Sequence, residues 1–303
     1  MKKKSGRRKR IIGRETKYLL LYAGPAIIYM IVLTLYPIAY NFFLMFRNMD
    51  TQHFLNHEFV GLETIKTVLS EGIVGMAAYN TVFFTVMCTA IQFTVGFLFA
   101  LLYHRKIKGA GFFKGLVLIG WLIPMTVTGL LFKFMFQTDT GVVNYLLMQS
   151  GLIDRPVQWL SQGGSALWTI ILANCWVGIP FDMVLLSTGL SSIPENVMES
   201  ASIDGANRMQ RFFYITLPML KPVMCSILVL GVIYTFKVFD LVVVITGGGP
   251  VNATQMLSTY SYQLAFREFN FSEASVVANL MFALLFFIGL AYLKFVRSDE
   301  VMS

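Results

Sequence analysis

Long uncharged apolar runs constrain this chain more than any other feature of its 303-residue sequence. Residues 18–46, 72–103 and 274–293 contain no Asp, Glu, Lys or Arg. A helix needs about 20 mainly apolar residues to cross a bilayer core about 30 Å thick, so each run is long enough to span a membrane. Because backbone polar groups cannot remain unpaired in lipid, runs of this length are predicted to be helical.

The overall composition agrees with a membrane protein. Hydrophobic residues make up 56% of the chain and charged residues 13%, against about 25% charged in a typical soluble domain. This composition excludes an ordinary cytosolic enzyme, which needs a polar surface, and a disordered chain, which has few apolar residues.

The fold class predicted from these runs is an all-α, polytopic membrane protein with six transmembrane helices. A basic arm (1–17) precedes a membrane domain (18–297), and a short tail (298–303) follows it. The first run is too long for the 7–15-residue core of a signal peptide and is predicted to be a retained span. The predicted spans are 18–46, 76–103, 112–136, 166–190, 222–246 and 274–297.

The distribution of positive charge predicts the orientation of these spans. Eighteen of the 24 Lys and Arg residues fall on the side that carries both termini and the loops 104–114 and 191–221. Cytoplasmic loops are enriched in Lys and Arg, so both termini are expected in the cytoplasm. The net charge of +8 is therefore explained by topology, and no nucleic-acid partner is predicted.

The loop 191–221 has the pattern of a helical hairpin. Ser192 and Glu195 have the spacing of a capping box, which predicts a short helix from there to about Asp204. Gly205 can adopt the left-handed conformation that ends a helix. A second short helix is predicted over 207–217, closed by Pro218.

This hairpin resembles the EAA loop of ABC-importer permeases, whose pattern is Glu-Ala-Ala, three residues, Gly, nine residues, then Ile-x-Leu-Pro. The chain matches this spacing fully, with a single small-for-small departure at the second position. Asp204 beside the glycine makes the segment similar to the carbohydrate branch of the family. The matching residues are Glu199, Ser200, Ala201, Asp204, Gly205, Ile215, Leu217 and Pro218.

Other segments extend the resemblance over most of the chain. The segments 141–144 and 159–160 look like that branch, and 236–240 followed by 246–250 resembles the maltose-permease F type. The resemblance implies a multi-pass subunit of a bacterial inner membrane whose cytoplasmic coupling helix docks on a separate ATPase dimer. It also implies a second related permease, an extracytoplasmic solute-binding protein and a sugar substrate, and neither enzymatic activity nor a cofactor in this chain.

Polar and aromatic residues within the spans are candidates for the substrate path. A charge at mid-bilayer costs at least about 2.5–3.5 kcal/mol on insertion scales, so pairing or exposure to water is expected. Lys237 and Asp240, three residues apart in the predicted fifth span, either form a clamp between helices or line the path. The other candidates also have helix packing as an alternative role. They are Asn174, Trp176, Asp182, Tyr234 and Phe236.

Three other functions remain as alternatives. An ABC permease for a non-sugar solute, such as a peptide or polyol, fits the same motifs, whereas an ion-coupled secondary transporter would explain the intramembrane charges but not the EAA spacing. A membrane-embedded enzyme would need a catalytic cluster, and the sequence contains no catalytic set, metal-ligand spacing or nucleotide-binding loop.

Overall fold

The computed structural model describes residues 18, 21–104 and 109–302, with side chains through Lys294. Within these ranges the chain is helical or irregular, with one isolated bridge between Arg47 and Phe59 and no strand. The predicted basic arm, the basic residues at 105, 106 and 108, and Ser303 lie outside the described residues.

Twelve helices are present in this part of the chain. They are α1 (Leu21–Leu44), α2 (Glu63–Ser70), α3 (Gly72–His104), α4 (Ala110–Leu122), α5 (Met125–Met135), α6 (Val142–Gln149), α7 (Gly163–Ser191), α8 (Glu195–Ile203), α9 (Arg208–Phe236), α10 (Asp240–Ile245), α11 (Leu257–Phe266) and α12 (Phe271–Met302).

Five of the described helices are long and apolar enough to cross a membrane, namely α1, α3, α7, α9 and α12. The remaining predicted span, 112–136, is instead the pair α4 and α5, which is bent by 97°. The bend lies at Pro124, which lacks an N–H and disfavours a helical conformation in the residue before it, and Ile123 is accordingly extended. The all-α membrane fold predicted from the sequence is confirmed.

The prediction of a separate helix over 207–217 is wrong, because α9 runs without interruption from Arg208 to Phe236. Its wider π-helical turn, Phe212–Thr216, lies just before Pro218 and accommodates the missing N–H of that proline. The predicted capping box at Ser192 is also wrong. The Ser192 hydroxyl donates to the Gly189 carbonyl (2.7 Å), and α8 begins three residues later at Glu195.

The centre of the bundle is the close pairing of α3 with α7. A Cβ built on Gly96 of α3 would lie 2.8 Å from the Cβ of Asp182, and one built on Gly178 of α7 would lie 2.3 Å from the Gln92 amide carbon. Small residues allow membrane helices to approach in this way. Cys88 and Cys175 are buried as free thiols in the same core.

Candidate functional site

The predicted fifth span is interrupted within the membrane domain. Helix α9 ends at Phe236 and α10 begins at Asp240, with Phe239 in a non-helical conformation (φ −137°, ψ −62°). The Ser258 hydroxyl of α11 donates a hydrogen bond to the backbone carbonyl of Val238 and so stabilises this non-helical segment. The prediction of one continuous helix over 222–246, with Lys237 and Asp240 on one face, is therefore wrong.

A cavity of about 440 Å³ lies against this break. Its walls come from α3, α4, α5, α7, α9 and α10, and it opens at the exposed side chains of Trp121, Tyr234 and Lys237. Discontinuous membrane helices often bind a substrate at the break, because the interrupted backbone offers polar groups at membrane depth. Five of the seven predicted path residues line the cavity, namely Asn174, Asp182, Tyr234, Lys237 and Asp240.

One wall of the cavity is a row of aromatic rings. The centroids of Trp121 and Phe181 are 5.8 Å apart, and the rings of Phe181 and Tyr234 meet edge to face at 6.2 Å. The ammonium of Lys237 lies 5.2 Å from the centroid of the Tyr234 ring, within the range of a cation–π contact. The row therefore ends in a positive charge beside the break in the helix.

The rest of the lining is mixed, with apolar side chains such as Val177 and Leu241 beside a few polar and charged groups. The Gln92 side-chain amide donates to the carbonyl of Asn174 (3.1 Å), which fixes one edge of the wall. Asp182 is buried, and within the described part of the chain its carboxylate has neither a hydrogen bond nor an ion pair. Lys237 and Asp240 are exposed, and no salt bridge joins them in the same described ranges. The clamp that was the alternative interpretation of this pair is therefore absent from this conformation.

Two predicted path residues lie elsewhere. Phe236 is 2% exposed and packs in a separate core with Leu257 and Val277, whereas the Trp176 indole lies against Gly120 of α4, on the outside of α7. Sequence reasoning missed Gln92, Trp121 and Phe181. Of these, only Gln92 carried a signal, as a polar residue within a long uncharged span.

The hairpin at one end of the bundle has the predicted turn. Gly205 is left-handed (φ +82°), and the amides of Gly205 and Ala206 return to the carbonyls of Ser202 (3.2 Å) and Ala201 (2.9 Å). These two bonds form a Schellman motif, which ends α8 sharply. Asn207 then caps α9 through a reciprocal capping box with Gln210.

Most of the predicted coupling residues face outward on this hairpin. Arg211 of α9 donates to the Ser202 hydroxyl of α8 and braces the two arms. Apolar side chains are also exposed, since Ile203 is 86% and Tyr214 80% accessible. Among the predicted residues, Glu199, Ser200, Asp204, Gly205 and Pro218 are exposed, Ile215 and Leu217 are half-buried, and Ala201 is buried.

The opposite end of the bundle has a firmly held loop, residues 246–255. Gly248 is left-handed (φ +91°), and a Cβ there would lie 1.8 Å from the Gln255 side-chain oxygen, so only glycine fits. The Asn80 amide of α3 donates to the carbonyls of Ala253 (3.0 Å) and Gln255 (3.1 Å). The loop is thus fixed to α3 while Val251 at its tip is 94% exposed.

Comparison with known proteins identifies the relatives of this fold. The family model described as "Binding-protein-dependent transport system inner membrane component" matches residues 92–298. The trehalose/maltose transport system permease protein MalF of Thermococcus litoralis is 34% identical over 284 residues, which are 93% of this chain and 94% of that protein. The sulfoquinovosyl glycerol transport system permease protein SmoG of Agrobacterium fabrum is 30% identical over 281 residues, with 93% and 91% covered.

A solved structure has the same fold. The crystal structure of a bacterial ABC transporter involved in the import of the acidic polysaccharide alginate matches with a TM-score of 0.80 and 24% identity, covering 95% of this chain and 99% of that chain. At this identity the likeness concerns the fold alone.

Proposed function

The chain belongs to the family of binding-protein-dependent transport system inner membrane components, and from that premise we propose that it forms half of a carbohydrate path through an ATP-driven importer. As a member of this family it is a permease subunit and not an enzyme, and ATP hydrolysis takes place on a separate subunit. The expected partners are a second related permease, an ATPase dimer and an extracytoplasmic solute-binding protein.

The observation that supports the path most directly is the cavity at the break between α9 and α10. Binding sites for small molecules combine an apolar wall with a few polar groups that fix orientation. Here the row Trp121–Phe181–Tyr234 offers flat faces for pyranose rings, while Gln92 and Asp182 offer acceptors and donors for hydroxyl groups. Relatives named for trehalose/maltose and for sulfoquinovosyl glycerol also favour a carbohydrate.

The proposed orientation follows from the charge distribution. With both termini in the cytoplasm, the hairpin of α8 and the start of α9 faces the ATPase, and the loop 246–255 faces the binding protein. The exposed Glu199 would pair with a basic group of the ATPase, while the buried Ala201 and the left-handed Gly205 keep the hairpin compact and rigid. A rigid hairpin transmits displacement to α7 and α9, which join it directly and also line the cavity.

Uptake by the assembled importer in proteoliposomes, with ATP supplied to the ATPase side, tests the proposed path. Tyr234 and Trp176 are similarly exposed aromatic residues, at 57% and 54%, but only Tyr234 lines the cavity. Losing an aromatic contact of about 1 kcal/mol would raise the KM for a disaccharide roughly fivefold in Tyr234→Ala. Trp176→Ala is expected to transport normally. Equal defects in the two variants, or none in Tyr234→Ala, would contradict the proposal.

The nature of the solute is tested in the same vesicles. Unlabelled disaccharides should compete with labelled sugar for uptake, whereas short peptides and linear polyols should not. Competition by a peptide and not by any sugar would instead indicate the alternative function, a permease of this family for a non-sugar solute.

A further inference from the structure

A second and larger cavity lies where the hairpin joins the bundle. It has a volume of about 1110 Å³ and is enclosed by the ends of α3 and α7, by α8 and by the first turns of α9. It shares no residue with the cavity at the helix break. Residues of the hairpin that faces the ATPase line it, but no step of the proposed carbohydrate path uses the cavity itself.

The charged lining of this cavity is mainly basic. Arg208, Arg211 and His104 line it together with a single carboxylate, Glu195, and in the described ranges no salt bridge joins that carboxylate to the arginines. The Nε atom of Arg211 is buried and has no hydrogen-bond partner among the described residues. The Arg208 side chain is exposed and likewise makes no bond within those ranges. The cavity therefore presents unused positive donors, which suit an anion.

The remaining lining is apolar and lies at the membrane surface. Leu101, Leu190, Met198 and Phe212 supply hydrocarbon beside the basic groups. Helix α3 has 33 residues and is therefore about 50 Å long, which exceeds a bilayer core of about 30 Å. Its last residue, His104, is followed directly by Arg105 and Lys106, which favours a position at the depth of the lipid headgroups. A ligand that fits both linings at this depth is an amphiphile with an anionic head.

We propose that this cavity binds the phosphate of an anionic phospholipid from the leaflet on the hairpin side, with the first part of its acyl chains against the apolar wall. Basic pockets between membrane helices on the cytoplasmic side bind such headgroups by the same combination. A free phosphate shares the anionic chemistry but does not use the hydrocarbon wall. Because Arg211 also braces α8 through Ser202, a bound lipid stiffens the hairpin.

Lipid retention by the whole importer complex in nanodiscs tests binding directly. The probe is phosphatidylglycerol, exchanged against excess phosphatidylcholine and quantified by native mass spectrometry. Arg208→Gln is expected to lower retention about fivefold, the effect of one basic residue near an anionic surface. Lys114→Gln is the matched control, since Lys114 opens the neighbouring helix α4 and does not line the cavity. Ser191→Trp fills the cavity without changing its charge and is expected to lower retention as well.

Coupled ATP hydrolysis provides the second measurement. In the wild type and in Lys114→Gln, hydrolysis stimulated by loaded binding protein should rise with the fraction of phosphatidylglycerol, while in Arg208→Gln and Ser191→Trp it should stay flat. Unchanged lipid retention in both cavity variants would overturn the proposal. Full displacement of the lipid by millimolar inorganic phosphate would also overturn it. A Met209→Cys variant that crosslinks to the ATPase while the complex retains no lipid would overturn it as well. Each of these results would leave the proposed transport function intact.

Discussion

The packing of Gly178 against Gln92 provides a sharp test of the cavity wall. A Cβ at position 178 would lie 2.3–2.5 Å from the three heavy atoms of the Gln92 amide, about 1 Å inside ordinary contact, which begins at 3.4 Å. Gln92 is only 4% exposed, so the amide can move only toward the adjoining cavity or against its packed neighbours. In Gly178→Ala the Gln92 amide must either break its 3.1 Å hydrogen bond to the Asn174 carbonyl or push α3 away from α7.

Both outcomes cost similar amounts of stability. Losing the hydrogen bond and the favoured rotamer costs about 1–3 kcal/mol, and overpacking a core also costs about 1–3 kcal/mol. Replacing a glycine by alanine within a helix returns about 0.5–1 kcal/mol, so the free energy of unfolding should fall by about 1–2 kcal/mol. Gly164→Ala is the control in the same helix, since a Cβ there meets nothing within 4 Å. It is expected to be neutral or slightly stabilising.

Thermal unfolding in detergent can be followed with a fluorogenic thiol reagent in a Cys225→Ser background, because Cys225 is half-buried whereas Cys88 and Cys175 are buried in the α3–α7 core and become accessible when it opens. Gly178→Ala should unfold a few degrees below the wild type. Gln92→Ala removes the clashing amide, so the double variant should lose less stability than the sum of the two single variants. Strict additivity in this cycle, or a Gly178→Ala variant as stable as Gly164→Ala, would refute the packing argument.

Three further predictions concern the hairpin, the opposite end and the cavity. Gly205→Ala places a Cβ in a left-handed turn at a cost of about 1–2 kcal/mol. ATP hydrolysis stimulated by the binding protein should therefore fall in this variant, and fall less in Gly205→Asn. Equal hydrolysis in the wild type and both variants would contradict this. Asn144→Ala removes four hydrogen bonds to the segment 138–159, one of them from the Trp159 indole at 2.9 Å. The free energy of unfolding should fall by about 2–4 kcal/mol, and hydrogen exchange in that segment should become faster. Asp182→Asn removes a buried carboxylate that has no partner among the described residues, so the melting temperature should rise while sugar uptake falls. A lower melting temperature with normal uptake would argue against a role of Asp182 in the path.

The sequence was informative at several strong local signals, although the capping-box spacing at Ser192 did not mark the start of α8. Uncharged runs predicted the membrane helices because hydrocarbon permits few alternatives. Gly205 predicted its own left-handed turn because no other residue adopts it as cheaply. The spacing from Glu199 to Pro218 predicted an exposed hairpin, and most of its named residues are exposed.

The break at 237–239 could not be predicted, since this stretch contains neither glycine nor proline and, apart from Lys237 and Asp240, the sequence stays apolar to residue 245. Distant residues support it. Ser258 donates to the Val238 carbonyl, and Val244 of α10 packs against Gly129 of α5, where a Cβ would lie only 3.0 Å from it. Such tertiary contacts leave no mark on the local sequence.

The direction in which each membrane side chain points was equally hidden. Trp176 and Tyr234 look equivalent in the sequence, yet only Tyr234 lines the cavity. A helix that is apolar on all sides has no polar face from which to read its orientation, so the assignment of individual aromatic residues required the packing of α4, α7 and α9.

The central claim is that this chain couples ATP hydrolysis on a partner to carbohydrate import. The most direct test is sugar uptake by proteoliposomes that contain the full importer, with binding protein outside and ATP inside. We predict that uptake requires both, is insensitive to an uncoupler, and is abolished by Glu199→Lys on the hairpin while the complex still assembles. Uptake that survives ATP depletion and collapses with the uncoupler would contradict the account and would identify an ion-coupled transporter instead.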